Sequence, residues 1–350
     1  MRLSKLRFFK LLRVTAMLAI SISGFAQKGF AQEYKVISSI PIAGEGGWDY
    51  LYADSGSRML YVSHNAQVDV VDMDSGKPVF AITGMKHIHG IAIAHDLGRG
   101  FISDGGDNVI VIFDLVSRAI LQKVPAGTNP DGIVYDPATK RLFAFNGRSK
   151  DVTAIEGATG QVAGTIALDG KPEFPVTDGA GNIYDNIEDK SEIVRIDPHT
   201  LKVTATWPLA PCDEPSGLAY DSDSKRLFSV CDNQKMAVVN TDTGKVVTTV
   251  TVGNGPDATF YYAEKKLVFS PNGEDGTLTV LKQESADKYS VADTVKAEKS
   301  GRTMALDTKT GKIYIAAAQF GPTPAPTATE PHPRPTIVSG SFHLVVLSPQ

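Results

Sequence analysis

The chain has 350 residues, of which 42% are hydrophobic and 21% are charged. This composition is too apolar for a disordered protein, and 32 Gly and 20 Pro are too few for collagen or a low-complexity chain. With only seven His and two Trp, the sequence also excludes a multicopper His cluster and Trp-rich quinoprotein blades.

Residues 1–31 have the features of a secretory signal peptide. Five basic residues precede an apolar stretch of twelve residues, Val14 to Phe25, which is too short to span a bilayer. Small-x-Ala sites then end at Ala26 and Ala31. We expect a periplasmic or secreted bacterial protein with no transmembrane segment after cleavage; the alternative is an uncleaved anchor.

Removal of residues 1–31 changes the charge of the chain. Residues 32–350 carry 29 Lys and Arg against 39 Asp and Glu, a formal net charge of −10. Neutralisation of phosphates supplies most of the affinity for nucleic acids, so an acidic chain of this kind is not expected to bind them.

A repeat runs through residues 32–350. Each unit has a small residue, a short apolar strand, a polar turn and an aromatic-containing strand, as in Gly132–Pro137 followed by Lys140–Asn146. An alternating strand such as Val109–Asp114 follows, and then a turn and a fourth strand, as in Asp242–Lys245 and Val246–Val250. Short strands separated by Gly, Asp and Asn turns predict an all-β repeat fold.

The residue before each first strand marks the period of the repeat. The markers recur every 40 to 45 residues and are Asp49, His89, Asp131, Glu173, Ser216, Asp257 and Arg302. Four strands per period is the pattern of a propeller blade, so residues 32–350 are predicted to form one seven-bladed β-propeller.

The last unit has only three predicted strands of its own, Thr303 to Asp307, Lys312 to Ala316 and Phe342 to Ser348. The strand-like segment Tyr34 to Ile42 is therefore expected to complete the last blade and close the ring.

Several segments are similar to degenerate YVTN repeats and to the Gly-x-Pro-Asp link between them: Leu60–Asn65, Leu142–Gly147, Asp242–Val247, Gly127–Asp131 and Gly253–Asp257. On these motifs the chain resembles the secreted YncE-like YVTN β-propellers of bacteria. The resemblance implies an exported binding or accessory protein, and related propellers include lactonases and cofactor-carrying enzymes. His64 and Asp104 replace the repeat's usual Asn in two units.

The seven markers are predicted to lie on loops beside the propeller axis, all on one face. Loops on a rigid scaffold are where binding and catalytic residues concentrate. All seven side chains are polar and four are carboxylates, which indicates a ligand-binding ring; a solvated channel lining is the alternative.

The segment His87–Ile88–His89 suggests a metal site. In an extended loop, residues i and i+2 point the same way, so His87 and His89, with His64 from the preceding unit, are candidate ligands for a divalent metal. Oxygen ligands are available from nearby acidic residues, of which we take Glu173, Glu214 and Asp257 as candidates, with Asp104 also close to the ring. Calcium held by ring carboxylates, or a rim with no metal, are the alternatives.

Two further features lie near the predicted ring face. The insertion Gln319 to Ser341 contains six Pro residues and is predicted to be a lid or a partner-docking arm, or else an inert packed loop. Cys212 and Cys231 flank the first two strands of the fifth blade and are predicted to form a disulfide. Two buried thiols or a copper site are the alternatives.

Two functions are consistent with these features. A monomeric exported propeller that binds a small polar ligand, a cation or a protein partner at the axial loop face is favoured, because no Gly-x-Ser-x-Gly nucleophile motif is present. The alternative is a metal-assisted hydrolase or lactonase that uses the Asp, His, Glu and Arg of the ring. No cofactor other than a divalent metal is expected.

Overall fold

The computed structural model describes residues 33–327, 333 and 335–350, and the predicted signal peptide lies outside these residues. The described residues form 28 strands, arranged in seven antiparallel sheets of four strands each. Two 3₁₀ turns, His95–Leu97 and Glu188–Lys190, interrupt the pattern. No helix in this part of the chain is long and apolar enough to cross a membrane.

The first strand, β1 (Tyr34–Pro41), pairs with the C-terminal end of the chain and is described below. The first three blades follow it in chain order. They contain β2 (Trp48–Asp54), β3 (Met59–His64), β4 (Gln67–Asp72), β5 (Lys77–Ile82), β6 (Ile88–Ala94), β7 (Arg99–Asp104), β8 (Val109–Asp114), β9 (Ile120–Pro125), β10 (Pro130–Asp136), β11 (Arg141–Asn146), β12 (Asp151–Glu156) and β13 (Val162–Ala167).

The remaining four blades have the same order, from an inner strand at the axis to an outer strand at the rim. They contain β14 (Pro172–Thr177), β15 (Ile183–Ile187), β16 (Glu192–Asp197), β17 (Lys202–Pro208), β18 (Pro215–Asp221), β19 (Arg226–Cys231), β20 (Lys235–Asn240), β21 (Lys245–Thr251), β22 (Phe260–Tyr262), β23 (Leu267–Asn272), β24 (Thr277–Ser285), β25 (Lys288–Lys296), β26 (Thr303–Leu306), β27 (Ile313–Ala317) and β28 (His343–Pro349).

The ring closes as the sequence predicts. Strand β1 pairs antiparallel with β28, with Tyr34 opposite Pro349, and completes the sheet of β26, β27 and β28. Each inner strand contacts the inner strands of both neighbouring blades, and β26 contacts β2. The all-β, seven-bladed propeller closed by its N-terminal strand is therefore confirmed, and the closure removes the sheet edges that would border a gap.

The hydrophobic core lies between blades rather than at one centre. Seven apolar clusters each join two adjacent blades. The strand Val109–Asp114 was expected to alternate between buried and exposed positions, but Ile110 to Phe113 are all buried. A middle strand is packed against a neighbouring blade on both faces, so both sets of its side chains are covered.

The predicted disulfide joins Cys212, in the loop before β18, to Cys231, at the end of β19. Their Cα atoms are 5.7 Å apart, and both residues are fully buried. A separation of this size is within the range that a disulfide requires.

Candidate functional site

A bulge at the start of the inner strands positions the marker residues. In β2, β6, β10, β14 and β18 the register shifts after the first residue, and the marker occupies the shifted segment, for example Asp131 between Pro130 and Ile133. A bulge leaves a residue unpaired and turns its side chain away from the regular pleat. Asp257 precedes the short strand β22 but follows a bridge between Pro256 and Asn272.

Glycines beside the markers let the inner strands approach one another. A Cβ atom at Gly132 would lie 2.3 Å from the carbonyl oxygen of Glu173, and one at Gly90 would lie 2.7 Å from that of Asp131. These distances are too short for any side chain. Gly is therefore required at both positions, and the close approach brings the ring residues of neighbouring blades into contact.

Three ring residues from consecutive blades, Asp49, His89 and Asp131, meet around one imidazole. The Nδ1 atom of His89 lies 2.6 Å from Oδ2 of Asp49 and 3.7 Å from Oδ1 of Asp131. The residue is only 8% exposed, and burial alone would lower its pKa. The hydrogen bond to Asp49 and the charge of Asp131 outweigh that effect and raise the pKa of His89 to about 9.

The next carboxylates around the ring are buried and close to one another. Burial raises the pKa of Asp131 to about 7, although the charge of His89 opposes the shift. Burial and the charge of Asp131 raise the pKa of Glu173 to about 8. Lys171 partly compensates, because its Nζ atom lies 2.5 Å from Oε1 of Glu173 and also binds Glu188.

Two further acidic groups lie close to these carboxylates, Asp185 on β15 and Tyr50 on β2. Asp185 is 0% exposed, and the backbone N–H of Glu173 is the contact that favours its ionised form. Burial and the charge of Glu173 hold its pKa well above the ordinary value. Burial and the charges of Asp131 and Glu173 likewise raise the pKa of Tyr50, whose ring packs 5.2 Å from that of Phe174.

The other side of the ring is internally paired. Ser216 donates a hydrogen bond of 2.6 Å to Oδ1 of Asp257, and Nε of Arg302 lies 2.8 Å from Oδ2 of the same carboxylate. All seven markers therefore take part in one polar ring, with its excess of carboxylates on the side of Asp49, Asp131 and Glu173.

A cavity of about 830 Å³ opens above the ring. Asp49, His87, His89 and Arg302 line it from the blades, and Phe320, Pro335 and Ile337 line it from the insertion. The insertion therefore covers the face on which the ring lies, as the sequence predicts; residues 328–332 and 334 are outside the described part of the chain.

Aromatic stacking and a polar contact hold the insertion over the cavity. The ring of Trp48 stacks on Phe320 with centroids 6.1 Å apart and on Phe342 at 5.2 Å. Ser339 donates a hydrogen bond of 2.5 Å to Glu45, in the loop before β2. Trp48 thus packs against Phe342 and also lines the cavity.

The three imidazoles proposed from the sequence do not converge on one point within the described residues. His64 is buried, with Nδ1 3.0 Å from Asp69 and its ring 4.4 Å from that of Phe342. His87 has a φ of 46°, so the loop is not extended there, yet its ring lies edge-on to that of His89 at 4.7 Å and both residues line the cavity. Among the described residues, the group whose ligand atoms converge is Asp49, His89 and Asp131.

The secondary candidates Asp104 and Glu214 have local contacts. Asp104 is buried and accepts hydrogen bonds from the backbone N–H groups of Lys86 and Asp107, at 3.0 and 3.3 Å. Glu214 is an exposed loop residue whose N–H donates to the hydroxyl of Ser191. Glu214 does not line the cavity.

The repeat asparagines have a structural role. Asn146 donates to the side chains of Asp151 and Thr153, and Asn272 donates to Thr277 and Thr279. Each amide therefore joins the second and third strands of its blade. His64 makes the equivalent contact with Asp69 in the first blade.

Sequence reasoning missed Lys171, Glu188, Tyr50 and Asp185. Glu188, in a 3₁₀ turn, binds the lysine that faces Glu173. A signal for Lys171 was present, because it lies two residues before a marker and alternate residues of an extended segment share a face. Asp185 was recognisable as a lone acidic residue in an otherwise apolar strand.

Comparisons with known proteins support the family resemblance. No protein-family model matches the chain. The chain is 24% identical over 265 residues to the uncharacterized protein YncE of Salmonella typhi, covering 72% of this chain and 68% of that protein. It is 25% identical over 278 residues to YncE of Escherichia coli strain K12, covering 75% and 72%.

Solved structures support the fold alone. A chain of the mitotic checkpoint complex matches with a TM-score of 0.72 and 14% identity, covering 99% of this chain and 98% of that one. The structure of U3-55K matches with a TM-score of 0.76 and 9% identity, covering 90% and 98%. Together, the closed seven-bladed ring, the degenerate repeats and the sequence identity show that the chain is a distant homologue of the YncE proteins, a bacterial β-propeller family.

Proposed function

We propose that this protein is an exported recognition protein that binds a small polar ligand at the axial face. The carrying observation is the cavity of about 830 Å³ that lies between the polar ring and the insertion. Pockets of about 300 to 1,000 Å³ bury most of the surface of a small molecule. The volume of the cavity therefore favours a small ligand over a protein partner, for which a broad surface is the usual site.

The cavity lining suggests the chemistry of the ligand. Trp48 and Phe320 present aromatic surface on one side, while Arg302 and Lys299 supply positive charge on another. Aromatic side chains bind flat rings by stacking, and a guanidinium binds a carboxylate through two donors. A small molecule with a flat or apolar ring and an anionic group meets both requirements.

A thermal-shift screen tests this proposal. Residues 32–350, isolated after export, are heated with sugar acids, aromatic acids and amino acids, and each hit is titrated by calorimetry. Binding by Phe320→Ala is compared with binding by Val338→Ala, because the two residues are 47% and 42% exposed in the same insertion but only Phe320 lines the cavity.

We expect Phe320→Ala to weaken binding at least fivefold and Val338→Ala to leave it unchanged. Equal losses in both variants, or no saturable ligand in the panel, would count against a small-ligand site at this face. A partner captured only when the insertion is intact would instead favour the docking-arm interpretation.

A metal-assisted hydrolase or lactonase is the second candidate. It is favoured by the convergence of Asp49, His89 and Asp131, of which Asp49 and His89 line the cavity. The test is turnover of lactones and aryl esters in the presence of divalent metals, with Asp49→Asn as the inactive variant. Binding of such compounds without turnover would leave recognition as the function.

We also propose that the protein is exported to the periplasm or secreted and acts as a monomer. The basic, apolar N-terminal segment and the disulfide Cys212–Cys231 support export, because disulfides persist in oxidising compartments. Sequencing of the N-terminus of exported protein should give Gln27 or Gln32 as the first residue. An intact N-terminus in the membrane fraction would indicate an anchor, and light scattering tests the monomer.

A further inference from the structure

We propose that Asp49, His89 and Asp131 form a binding site for one divalent transition-metal cation at the floor of the axial cavity. This inference deepens the proposed recognition function, because it names a cation as one occupant of that face. It replaces the three-imidazole arrangement with one nitrogen and two carboxylates, each supplied by a different blade.

The three donor groups have the spacing of a coordination sphere. Ligand atoms that bind one metal at about 2.1 Å with tetrahedral or octahedral angles lie roughly 3.0 to 3.4 Å apart. The Nδ1 atom of His89 lies 2.6 Å from Asp49 and 3.7 Å from Asp131, which brackets that range. All three ligand atoms lie within 4.8 Å of one another. Small side-chain rotations therefore suffice to place a cation between them.

The surroundings of His89 suit a metal ligand. Its Nε2 atom is buried and faces the side chain of Asn129, while Nδ1 faces both carboxylates. A histidine that binds a metal through one nitrogen commonly orients its other N–H toward a polar neighbour. Gly105 leaves room for this arrangement, because a Cβ there would lie 2.8 Å from Nε2 and 2.9 Å from Oδ1 of Asn129.

The acidic surroundings of the triad extend to the buried carboxyl group of Asp185. This side chain is fully buried, the backbone N–H of Glu173 contacts it, and it lies within electrostatic reach of Glu173 and Asp131. Because burial and the charge of Glu173 raise its pKa, a cation bound nearby would favour its ionised form. Lys171 binds Glu173 and Glu188, and Arg302 binds Asp257, so neither of these side chains is directed at the triad.

The site leaves coordination positions for a ligand. Three protein donors with an open side are typical of metal sites that bind water or a substrate, whereas structural sites use four. Asp49 and His89 line the cavity, so the open side faces the space proposed for the small ligand. Mixed nitrogen and oxygen donors suit Zn²⁺, Mn²⁺, Co²⁺ or Ni²⁺ rather than a thiophilic metal.

Titration of residues 32–350 with Zn²⁺ after removal of metals by a chelator tests the proposal. Calorimetry should give one equivalent, and Co²⁺ should give a visible absorption band that Zn²⁺ displaces. Asp131→Asn and His89→Gln should each weaken Zn²⁺ binding roughly 100-fold. Asp257→Asn is the matched control, because Asp257 is a ring carboxylate outside the triad, and it should change the affinity less than threefold.

Three results would overturn the proposal. The first is a folded protein that binds no stoichiometric Zn²⁺ or Co²⁺, and the second is an unchanged Co²⁺ band in Asp131→Asn. The third is an equal loss of affinity in Asp131→Asn and Asp257→Asn, which would indicate general attraction of cations to an acidic face. Near-ultraviolet circular dichroism verifies that each variant is folded, and Asp49→Asn replaces any that is not. If small acids still raise the unfolding temperature of a protein that binds no metal, the proposed small-ligand function holds and only the metal site is contradicted.

Discussion

Acidic residues lie at both ends of the propeller's inner strands, and the surroundings of their carboxyl groups differ between the two ends. At the cavity end, burial raises the pKa of Asp131 to about 7 and that of Glu173 to about 8. At the opposite end, the inner strands finish with a second set of carboxylates: Asp54, Asp136, Asp221 and Asp307. The same residue type therefore serves two purposes in one strand.

The carboxylates at the opposite end have hydrogen-bond partners in the turns that follow them and in neighbouring blades. Asp136 accepts hydrogen bonds of 2.9 and 2.7 Å from the N–H and hydroxyl of Thr139, and one of 2.8 Å from Thr177. Asp307 binds Arg58 of the first blade at 2.8 Å. Although burial alone would raise the pKa of Asp307, its contacts with Arg58 and Thr310 lower it to about 2.

This comparison separates structural acids from available ones. A carboxylate that accepts several hydrogen bonds is stable as an anion and has few free lone pairs with which to bind a ligand. Groups with raised pKa values in a cleft are instead typical of functional sites. The position of an acid along the strand, rather than its presence, thus distinguishes the two roles.

The largest effect is expected from loss of the contact between Asp307 and Arg58. Asp307 is 0% exposed, so Asp307→Asn removes a buried carboxylate and leaves the half-buried guanidinium of Arg58 without one of its partners. We expect the free energy of unfolding to fall by about 3 kcal/mol at pH 7, measured by urea denaturation. Since the folded pKa lies below the unfolded one, the loss should be complete above pH 4 and disappear as the pH falls through about 2.

Asp185→Asn should raise the free energy of unfolding rather than lower it. Because burial and the charge of Glu173 disfavour the ionised form of the Asp185 carboxyl, replacement by a neutral amide should stabilise the metal-free protein by about 1 to 3 kcal/mol at pH 8. Asp136→Asn, the same change at the other end of an inner strand, should destabilise it. The test is thermal unfolding of both variants in the presence of a chelator. A loss of stability in both would contradict the proposed difference between the acids at the two ends of the strands.

Glu173→Gln should flatten the dependence of stability on pH. The folded pKa of Glu173, about 8, lies above its ordinary value of 4.5, so its contribution is complete below pH 4.5 and is lost as the pH rises through 8. Without metal, the variant should gain relative to the natural chain by at most about 1.4 kcal/mol per pH unit over this window. Parallel stability profiles for the two proteins would contradict the assignment.

The smallest effect on stability is expected at the insertion. Phe320 is 47% exposed, so Phe320→Ala should change the free energy of unfolding by less than about 0.5 kcal/mol. It should, however, expose Trp48 to acrylamide, measured by fluorescence quenching in a Trp207→Phe background. Unchanged quenching would mean that the stack of Phe320 on Trp48 does not shield the cavity.

The sequence predicts the fold more fully than the site. Strand spacing and turn chemistry give seven blades and the closing strand because both depend on local patterns that repeat. The markers were found because each occupies the same place in its repeat, although their role as a ligand ring stays a prediction. Contacts such as that between His89 and Asp131 join different blades, and their distances depend on bulges and close glycine approaches that no periodicity encodes.

The metal prediction shows where local reasoning fails. His87 and His89 were expected to share a face because alternate residues of an extended chain do, and their rings do meet, but through a left-handed backbone at His87 rather than an extended one. His64 had no sequence signal for its partner Asp69, since the pair depends on how β3 and β4 face each other.

The bulges at the start of the inner strands have a consequence for evolution. Because a bulged residue lies outside the hydrogen-bonded register, its side chain contributes to the axial ring without contributing to the pairing of its sheet. The seven blades thus offer a set of positions that mutation can exchange one at a time on an unchanged frame. Ser216 occupies in its blade the bulged position that carries an acid in others, and a propeller of this kind can acquire a new specificity without first acquiring a new fold.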